Sequence, residues 1–222
     1  MKRFIILCLM LLMCAPAVDA RKKQKKAGTI TDSVYHDNKY GFDLTIHDNW
    51  KVKISKDKEN VRLLLTQKNF AIPSDYINAP NYTYTPQMIL YVDTTTLGVH
   101  PFIDSLTSDD YKSTQKKEIL KEFEFLNEPD QIPRRRSRME IAGESALLWK
   151  AQARYEKEVV ESASSTSGRM VHREYGGAIA AVKIGNNIIL FHVMTEWEFF
   201  EPVLFEVLPM IKSLVVPQED EG

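Results

Sequence analysis

Residues 40–54 carry the clearest alternation of apolar and polar positions in the chain. Every second residue from Tyr40 to Ile46 is apolar, Asp48-Asn49 is a dipeptide typical of turns, and the alternation resumes at Trp50. Because successive side chains of a strand point to opposite faces of a sheet, this period of two predicts strands buried on one face. The segment is therefore predicted to be a β-hairpin, with a buried face formed by Tyr40, Phe42, Leu44, Ile46, Trp50, Val52 and Ile54.

Further apolar runs predict strands at 61–66, 88–92, 146–155, 178–184 and 188–194. The last two runs are separated by Gly185-Asn186-Asn187, residues that tolerate positive φ in tight hairpin turns. Their apolar density predicts that this hairpin is central to the fold.

Helical periodicity is present in two segments. Residues 106–123 have acidic residues near the start and lysines toward the end, which favours a helix. A second helix is predicted from Glu201, with Pro202 in its first turn, where a missing N–H costs nothing, and with a kink before Pro209. Its apolar stripe, suited to packing on a sheet, comprises Phe200, Leu204, Val207, Leu208, Ile211 and Leu214.

The remaining segments lack periodicity and set the predicted domain boundaries. A basic linker at 21–33 and an acidic tail at 217–222 are expected to be disordered, which leaves one globular domain at 34–216. Inside this domain, loops are predicted at 71–86, which contains three prolines, and at 129–138, and a serine-rich hinge at 162–167.

Residues 1–20 have the pattern of a secretory signal peptide. Lys2 and Arg3 precede a run of twelve apolar residues, Phe4 to Ala15, and cleavage is expected after Ala20. Twelve residues form about 18 Å of helix, which is shorter than the roughly 30 Å hydrocarbon core of a bilayer. We therefore expect a secreted or periplasmic protein with no transmembrane segment.

Both cysteines, Cys8 and Cys14, lie in this leader, so the mature chain is expected to contain none. An exported domain without disulfides depends on its core for stability, which suits a bacterial envelope. Lipid anchoring through Cys14 is the alternative, but the preceding residue, Met13, is larger than the small residue that lipid attachment favours.

The formal net charge of −1 gives no overall field for nucleic acid, so no nucleic-acid partner is expected. The run "RKKQKK", Arg21 to Lys26, carries five positive charges. It is interpreted as a solvated tail, and contact with anionic lipid or wall polymer is the alternative.

No motif for catalysis or cofactor binding is present. Gly143-Glu144-Ser145-Ala146 lacks the closing glycine of a nucleophile elbow, and Gly176-Gly177 is not followed by a helix that could bind phosphate. The histidines, which form no pair with metal-ligand spacing, are His36, His47, His100, His172 and His192. We predict no catalytic residue, no metal site and no cofactor.

Two segments are candidate binding sites. The first is an arginine cluster that could bind phosphate or a carboxylate-rich polymer, with a solvated loop as the alternative. The second is the tyrosine-rich loop 71–86, whose aromatic rings could form a binding surface or simply cover the edge of the sheet. The candidate residues are Arg134, Arg135, Arg136, Arg138, Tyr76, Tyr82 and Tyr84.

The order of elements resembles the PsbP-like domain. "YGFDLTIHDNW" is followed by a paired strand, a helix, the long strand "ALLWKAQARYE", the hairpin "AIAAVKIGNNIILFHVMTE" and the helix "FFEPVLFEVLPMIKSLVV". This fold is shared by the extrinsic oxygen-evolving protein of photosystem II, a Ran-binding nuclear import factor and many exported bacterial proteins. The resemblance covers residues 34–216. The chain departs from the pattern at His47-Asp48-Asn49, where the family carries a proline before the tryptophan, and Ile211-Lys212-Ser213-Leu214 matches only in part.

The resemblance implies an α+β fold, an antiparallel β-sheet flanked by helices in an α/β/α sandwich. It also implies a non-catalytic binding or assembly role, since no catalytic residue can be carried over. We therefore predict an exported binding or assembly module of the bacterial cell envelope, with another envelope protein or an anionic envelope polymer as partner. The alternatives are a small-ligand or metal binder that uses the 71–86 loop, and an envelope hydrolase.

Overall fold

The computed structural model describes residues 25–70, 85–107, 135–159 and 169–216. In these ranges the strands are β1 Gly28–Thr31, β2 Val34–Asp37, β3 Asp43–Thr45, β4 Trp50–Ile54, β5 Val61–Gln67, β6 Gln87–Thr94, β7 Arg135–Ile141, β8 Glu144–Val159, β9 Arg169–Ile184 and β10 Asn187–Glu196. The helices are α1 Val99–Thr107 and α2 Trp197–Lys212.

The strands form two antiparallel sheets. The larger has seven strands in the order β4-β5-β6-β10-β9-β8-β7, and the smaller has three in the order β1-β2-β3. The predicted apolar hairpin is β9–β10, and β10 pairs with β6 on its other side. Ile188 to Val193 of β10 are all buried, as expected for a central strand that is covered on both faces.

Each face of the large sheet is covered by a different layer. On one face, α2 and the small sheet pack on residues such as Leu65 and Phe191. On the other, Phe102 and Ile103 of α1 pack against Trp149 and its neighbours. A sheet between helices is the α+β sandwich predicted above, so the predicted fold class is confirmed.

The segment 40–54 is buried as predicted, but it does not form a hairpin. Phe42, Leu44 and Trp50 are buried, yet β3 pairs with β2 in the small sheet, whereas β4 pairs with β5 in the large one. The chain therefore passes from one sheet to the other at the predicted turn. Alternation determines which face of a strand is buried, but it does not determine the partner strand.

The polar loop predicted at 129–138 is wrong from Arg135 onward, where β7 begins. In the part of the chain that the structure describes, this strand is an edge of the large sheet and pairs only with β8. An edge strand accepts charged side chains because one of its sides has no partner strand to accommodate. The arginine-rich sequence "RRRSR" was therefore interpreted as a polar loop, although most of it belongs to a strand.

The described domain also begins earlier than predicted, because β1 lies inside the predicted linker 21–33. A tight turn with positive φ at Asp32 and Ser33 joins β1 to β2. Positive φ at both turn positions suits the twist of a hairpin, but the usual glycine or asparagine that would reveal it is missing.

The last helix begins earlier than predicted, at Trp197 rather than Glu201, and α1 was not predicted from the sequence. Residues 108–123 of the predicted helix 106–123 lie outside the described residues, as do the leader 1–20, most of the 71–86 loop, the hinge 162–167 and the tail 217–222. In the part of the chain that the structure describes, neither helix has the length and apolar character needed to cross a membrane.

Candidate functional site

A buried ion pair joins the two sheets. Arg62 of β5 and Asp37 of β2 have fully buried side chains, and Arg62 Nε donates to Asp37 Oδ2 at 2.7 Å. Arg62 Nη2 donates to Oδ1 at 3.2 Å, and Tyr35 Oη donates to Oδ2 at 2.7 Å. A fork of this kind between guanidinium and carboxylate is the strong geometry for a buried pair.

The remaining guanidinium hydrogens form hydrogen bonds with backbone carbonyl oxygens. Arg62 Nη1 donates to the oxygens of Asp57 and Glu59 at 2.9 Å each, and Nη2 donates to the oxygen of Ala27 at 3.0 Å. Burial alone would lower the pKa of Arg62, but Asp37 reverses this, so the pKa is raised. Burial and the hydrogen bond to Asp37 raise the pKa of Tyr35. Arg62 therefore stays charged and Tyr35 neutral, in a network with a structural role.

A second network fixes α2 to the edge of the large sheet. The carboxylate of Glu206 accepts hydrogen bonds from Trp50 Nε1 at 2.7 Å, from Gln67 Nε2 at 2.9 Å and from Asn49 Nδ2. All three donors are neutral, and they come from the start of β4 and the end of β5. With three donors on its oxygens, Glu206 positions the helix and is poorly placed to act as a general base.

His192 of β10 is also inside the protein. In the register of the sheet it lies opposite Ile89 of β6 and Ile179 of β9. Burial lowers the pKa of His192 to about 3, so its imidazole is neutral at neutral pH. In the described ranges, no group of three or more His, Cys, Asp or Glu side chains could hold a metal ion.

The structure describes three of the four predicted arginines, all of them in β7. Arg136 donates from Nη2 to Asp104 of α1 at 2.7 Å, and its guanidinium lies 5.0 Å from the centre of the Trp149 ring. Arg136 thus links α1 to the sheet. Arg138 lies two residues further along the strand, on the same face, and both residues are exposed. Arg135 is in the strand as well, and Arg134 lies outside the described residues, as do Tyr76, Tyr82 and Tyr84. Their binding roles stay predictions.

The most exposed aromatic side chain among the described residues is Phe205 of α2, which is 80% exposed. At 100° per residue it lies at the centre of the solvent-facing side of the helix. Trp197, at the start of α2, is 37% exposed and stacks on Phe200, with ring centres 5.6 Å apart. The exposed residues of this side, which we call the α2 outer face, are Trp197, Glu198, Glu201, Pro202, Phe205, Pro209 and Lys212.

Sequence reasoning missed Arg62, Asp37 and Glu206. An arginine inside the apolar run "VRLLLTQ" is a signal that could have indicated a buried charge, because an unpaired arginine is rarely buried. Its partner could not be named, since Asp37 is 25 residues away in the sequence. Glu206 gave no signal, because a glutamate on the flank of an amphipathic helix is ordinary.

No protein-family model matches the chain, and no curated protein matches its sequence. Similar solved structures include the cyanobacterial PsbP (CyanoP) of Synechocystis sp. PCC 6803, with a TM-score of 0.39 and 13% identity over 86% of this chain and 96% of that one. They also include LpqN, involved in cell envelope biogenesis of Mycobacterium tuberculosis, with a TM-score of 0.41 and 12% identity over 83% of this chain and 90% of that one.

A third similar structure, from Bacteroides thetaiotaomicron VPI-5482, has a TM-score of 0.37 and 12% identity over 82% of this chain. Only 47% of that protein is covered, so this chain spans about half its length. Likeness at this level is distant and does not extend to activity, ligand or partner. A PsbP protein is among these structures.

Proposed function

We propose that this chain is an exported, non-catalytic binding or assembly module of the bacterial cell envelope, and that the α2 outer face is its protein-binding surface. The envelope setting rests on the predicted signal peptide and on the absence of cysteine after Cys14 in the sequence. The binding surface rests on the exposure of Phe205.

Phe205 is the observation that carries the proposal. An aromatic ring with 80% of its surface in water gains little from folding, so packing against the described residues does not account for it. Pro202 and Pro209 lie on either side of it, and Trp197 and Leu208 add apolar surface nearby. Aromatic side chains are enriched in protein interfaces, where they supply a large contact area at a small entropic cost.

Within the described residues, the carboxylates of Asp37 and Glu206 are held in hydrogen-bond networks and the His192 imidazole is buried. Asp37 binds Arg62 and Tyr35, Glu206 accepts three hydrogen bonds, and His192 is buried and neutral. This supports a binding role over hydrolysis. The small-ligand and metal alternatives depend on the 71–86 loop and remain predictions.

Photo-crosslinking at position 205 tests the surface. Benzoylphenylalanine replaces Phe205 in the full chain, and the matched control places it at Asn186, exposed in the turn between β9 and β10. After illumination of intact cells, we expect one discrete protein adduct from position 205 and none from position 186. Equal labelling at both positions, or none at either, would contradict the proposal.

The export part has its own measurement. Mass spectrometry of the protein recovered from the envelope is expected to find an N-terminus at Arg21. A diacylglyceryl group on Cys14 would instead place the protein on a membrane by a lipid anchor.

A further inference from the structure

Lysines line the open edge of the large sheet. Among the strands that the structure describes, β4 pairs only with β5, and its buried side carries Trp50. Lys51 and Lys53 are exposed on the opposite side of the strand, about 6.6 Å apart as second neighbours. Lys56 and Lys58, both exposed, continue the row beyond the end of β4.

The first described residues of the chain join this row. Lys26 lies opposite Lys56 in an antiparallel bridge, and the backbone N–H of Ala27 donates to the oxygen of Ser55 at 2.9 Å. Lys25 is therefore brought to the same edge, and its side chain is 72% exposed. The six residues, which we call the lysine edge, are Lys25, Lys26, Lys51, Lys53, Lys56 and Lys58.

Two acids lie among residues 25–26 and 50–60, the described ranges that carry the lysine edge. Asp57 and Glu59 lie in the same turn, and Asp57 is shared between Lys25 at 4.0 Å and the buried Arg62 at 3.4 Å. Six lysines against two acids give a local charge of 6 − 2 = +4, in a chain whose formal net charge is −1. The edge is thus a localised basic surface rather than part of a basic protein.

The N-terminal sequence extends the same charge. Residues 21–24, "RKKQ", add three positive charges directly before Lys25. With cleavage after Ala20, this basic run is the N-terminus of the exported protein and leads directly into the lysine edge. A cluster of this many basic residues favours an anionic lipid surface.

We propose that the lysine edge docks on an anionic phospholipid surface. This inference goes beyond the proposed function, because it assigns a second surface, independent of the α2 outer face. Lysine suits the role because its ammonium is a compact point charge on a flexible stem, which can follow mobile phosphate headgroups without a fixed geometry.

The test is vesicle binding by the protein produced from the full chain. Vesicles of phosphatidylcholine with about 30 mol% phosphatidylglycerol are compared with phosphatidylcholine alone. We expect binding to the anionic vesicles only, weakened by salt, and weakened about tenfold or more in the double variant K51Q/K53Q, since each lysine near the surface contributes roughly one kcal/mol. K51R/K53R, which keeps both charges, is expected to bind like the original chain.

The control is K183Q, which removes a positive charge near the end of β9, outside the lysine edge and the α2 outer face, and should bind normally. Edge lysines also prevent strands from pairing between molecules, so light scattering must show that K51Q/K53Q stays monodisperse. If K51Q/K53Q aggregates, K56Q/K58Q replaces it in the vesicle assay, because these two changes lie beyond the end of β4.

Three results would overturn the inference: unchanged binding in the K51Q/K53Q and K56Q/K58Q variants, an equal loss in K183Q, or binding to soluble polyphosphate with none to the vesicles. F205A is expected to bind vesicles normally. Failure of this assay therefore leaves the crosslinking result at position 205 unaffected, and the two proposals can fail separately.

Discussion

Among single residues, Arg62 is under the strongest constraint. A buried guanidinium loses its hydration, and this cost is offset only when a carboxylate and further acceptors surround it. Asp37 supplies the charge, and three backbone oxygens supply the rest. A single isosteric substitution in this ion pair is therefore expected to have a large effect on the free energy of unfolding.

Asp37→Asn is expected to lower the free energy of unfolding by about 3–5 kcal/mol, because it leaves Arg62 as a buried charge without its counterion. Tyr35→Phe removes only one neutral donor and should cost about 1–2 kcal/mol. Urea denaturation at neutral pH measures both. If D37N costs no more than Y35F, the ion pair does not have the role assigned to it.

His192 gives a pH dependence with a definite sign. Its pKa falls from 6.5 to about 3 on folding, so between these values the unfolded chain binds a proton that the folded chain does not. The stability from this group is fully present above pH 6.5 and is lost as the pH falls toward 3, by up to about 1.4 kcal/mol per pH unit. H192L should show a shallower loss of stability across this range in denaturation at several pH values. Parallel curves for the two proteins would rule the effect out.

Among the elements, the sequence predicted strands better than their partners. The apolar runs that mark β5, β6 and β10 report burial, which depends on the strand itself. Pairing depends on where distant strands lie, so residues 40–54 were assigned to a hairpin although β3 and β4 belong to different sheets. The candidate site had the same limit, because Trp50 and Glu206 meet across 156 residues.

The hydrogen bonds to Glu206 are expected to contribute to the stability of the protein by anchoring α2 to the sheet. Glu206→Gln turns an acceptor of three hydrogen bonds into an amide that must present hydrogens to some of the same donors, and we expect a loss of about 1–3 kcal/mol. Glu198→Gln, an exposed change in the first turn of the same helix, is the control and should stay within about 0.5 kcal/mol. Thermal denaturation compares the two, and similar midpoints would show that the network does not anchor α2.

In the molecule as a whole, one core joins both sheets and α2. The same apolar cluster contains Leu44 of the small sheet, Phe191 of the large sheet and Val207 of α2. The ion pair Asp37–Arg62 crosses the same boundary. The two sheets are thus expected to unfold together, although they share no strand pair in the described residues.

Leu44→Ala tests this cooperativity. Removing a fully buried leucine should cost about 2–5 kcal/mol. Because the small sheet is coupled to the large one, the transitions followed by far-UV circular dichroism and by tryptophan fluorescence should shift by the same amount; Trp50 and Trp149 report on opposite faces of the large sheet. Two separate transitions would show that the small sheet melts alone.

The prolines of the α2 outer face constrain the chemistry of any partner. Pro202 and Pro209 have no N–H, so neither can donate the usual helical hydrogen bond, and the carbonyl oxygens of Glu198 and Phe205 lose their donors on the side that faces solvent. Water can satisfy these oxygens in the free protein. A partner that covers Phe205 must therefore bring hydrogen-bond donors as well as apolar surface. A partner surface made of apolar side chains alone would bind poorly.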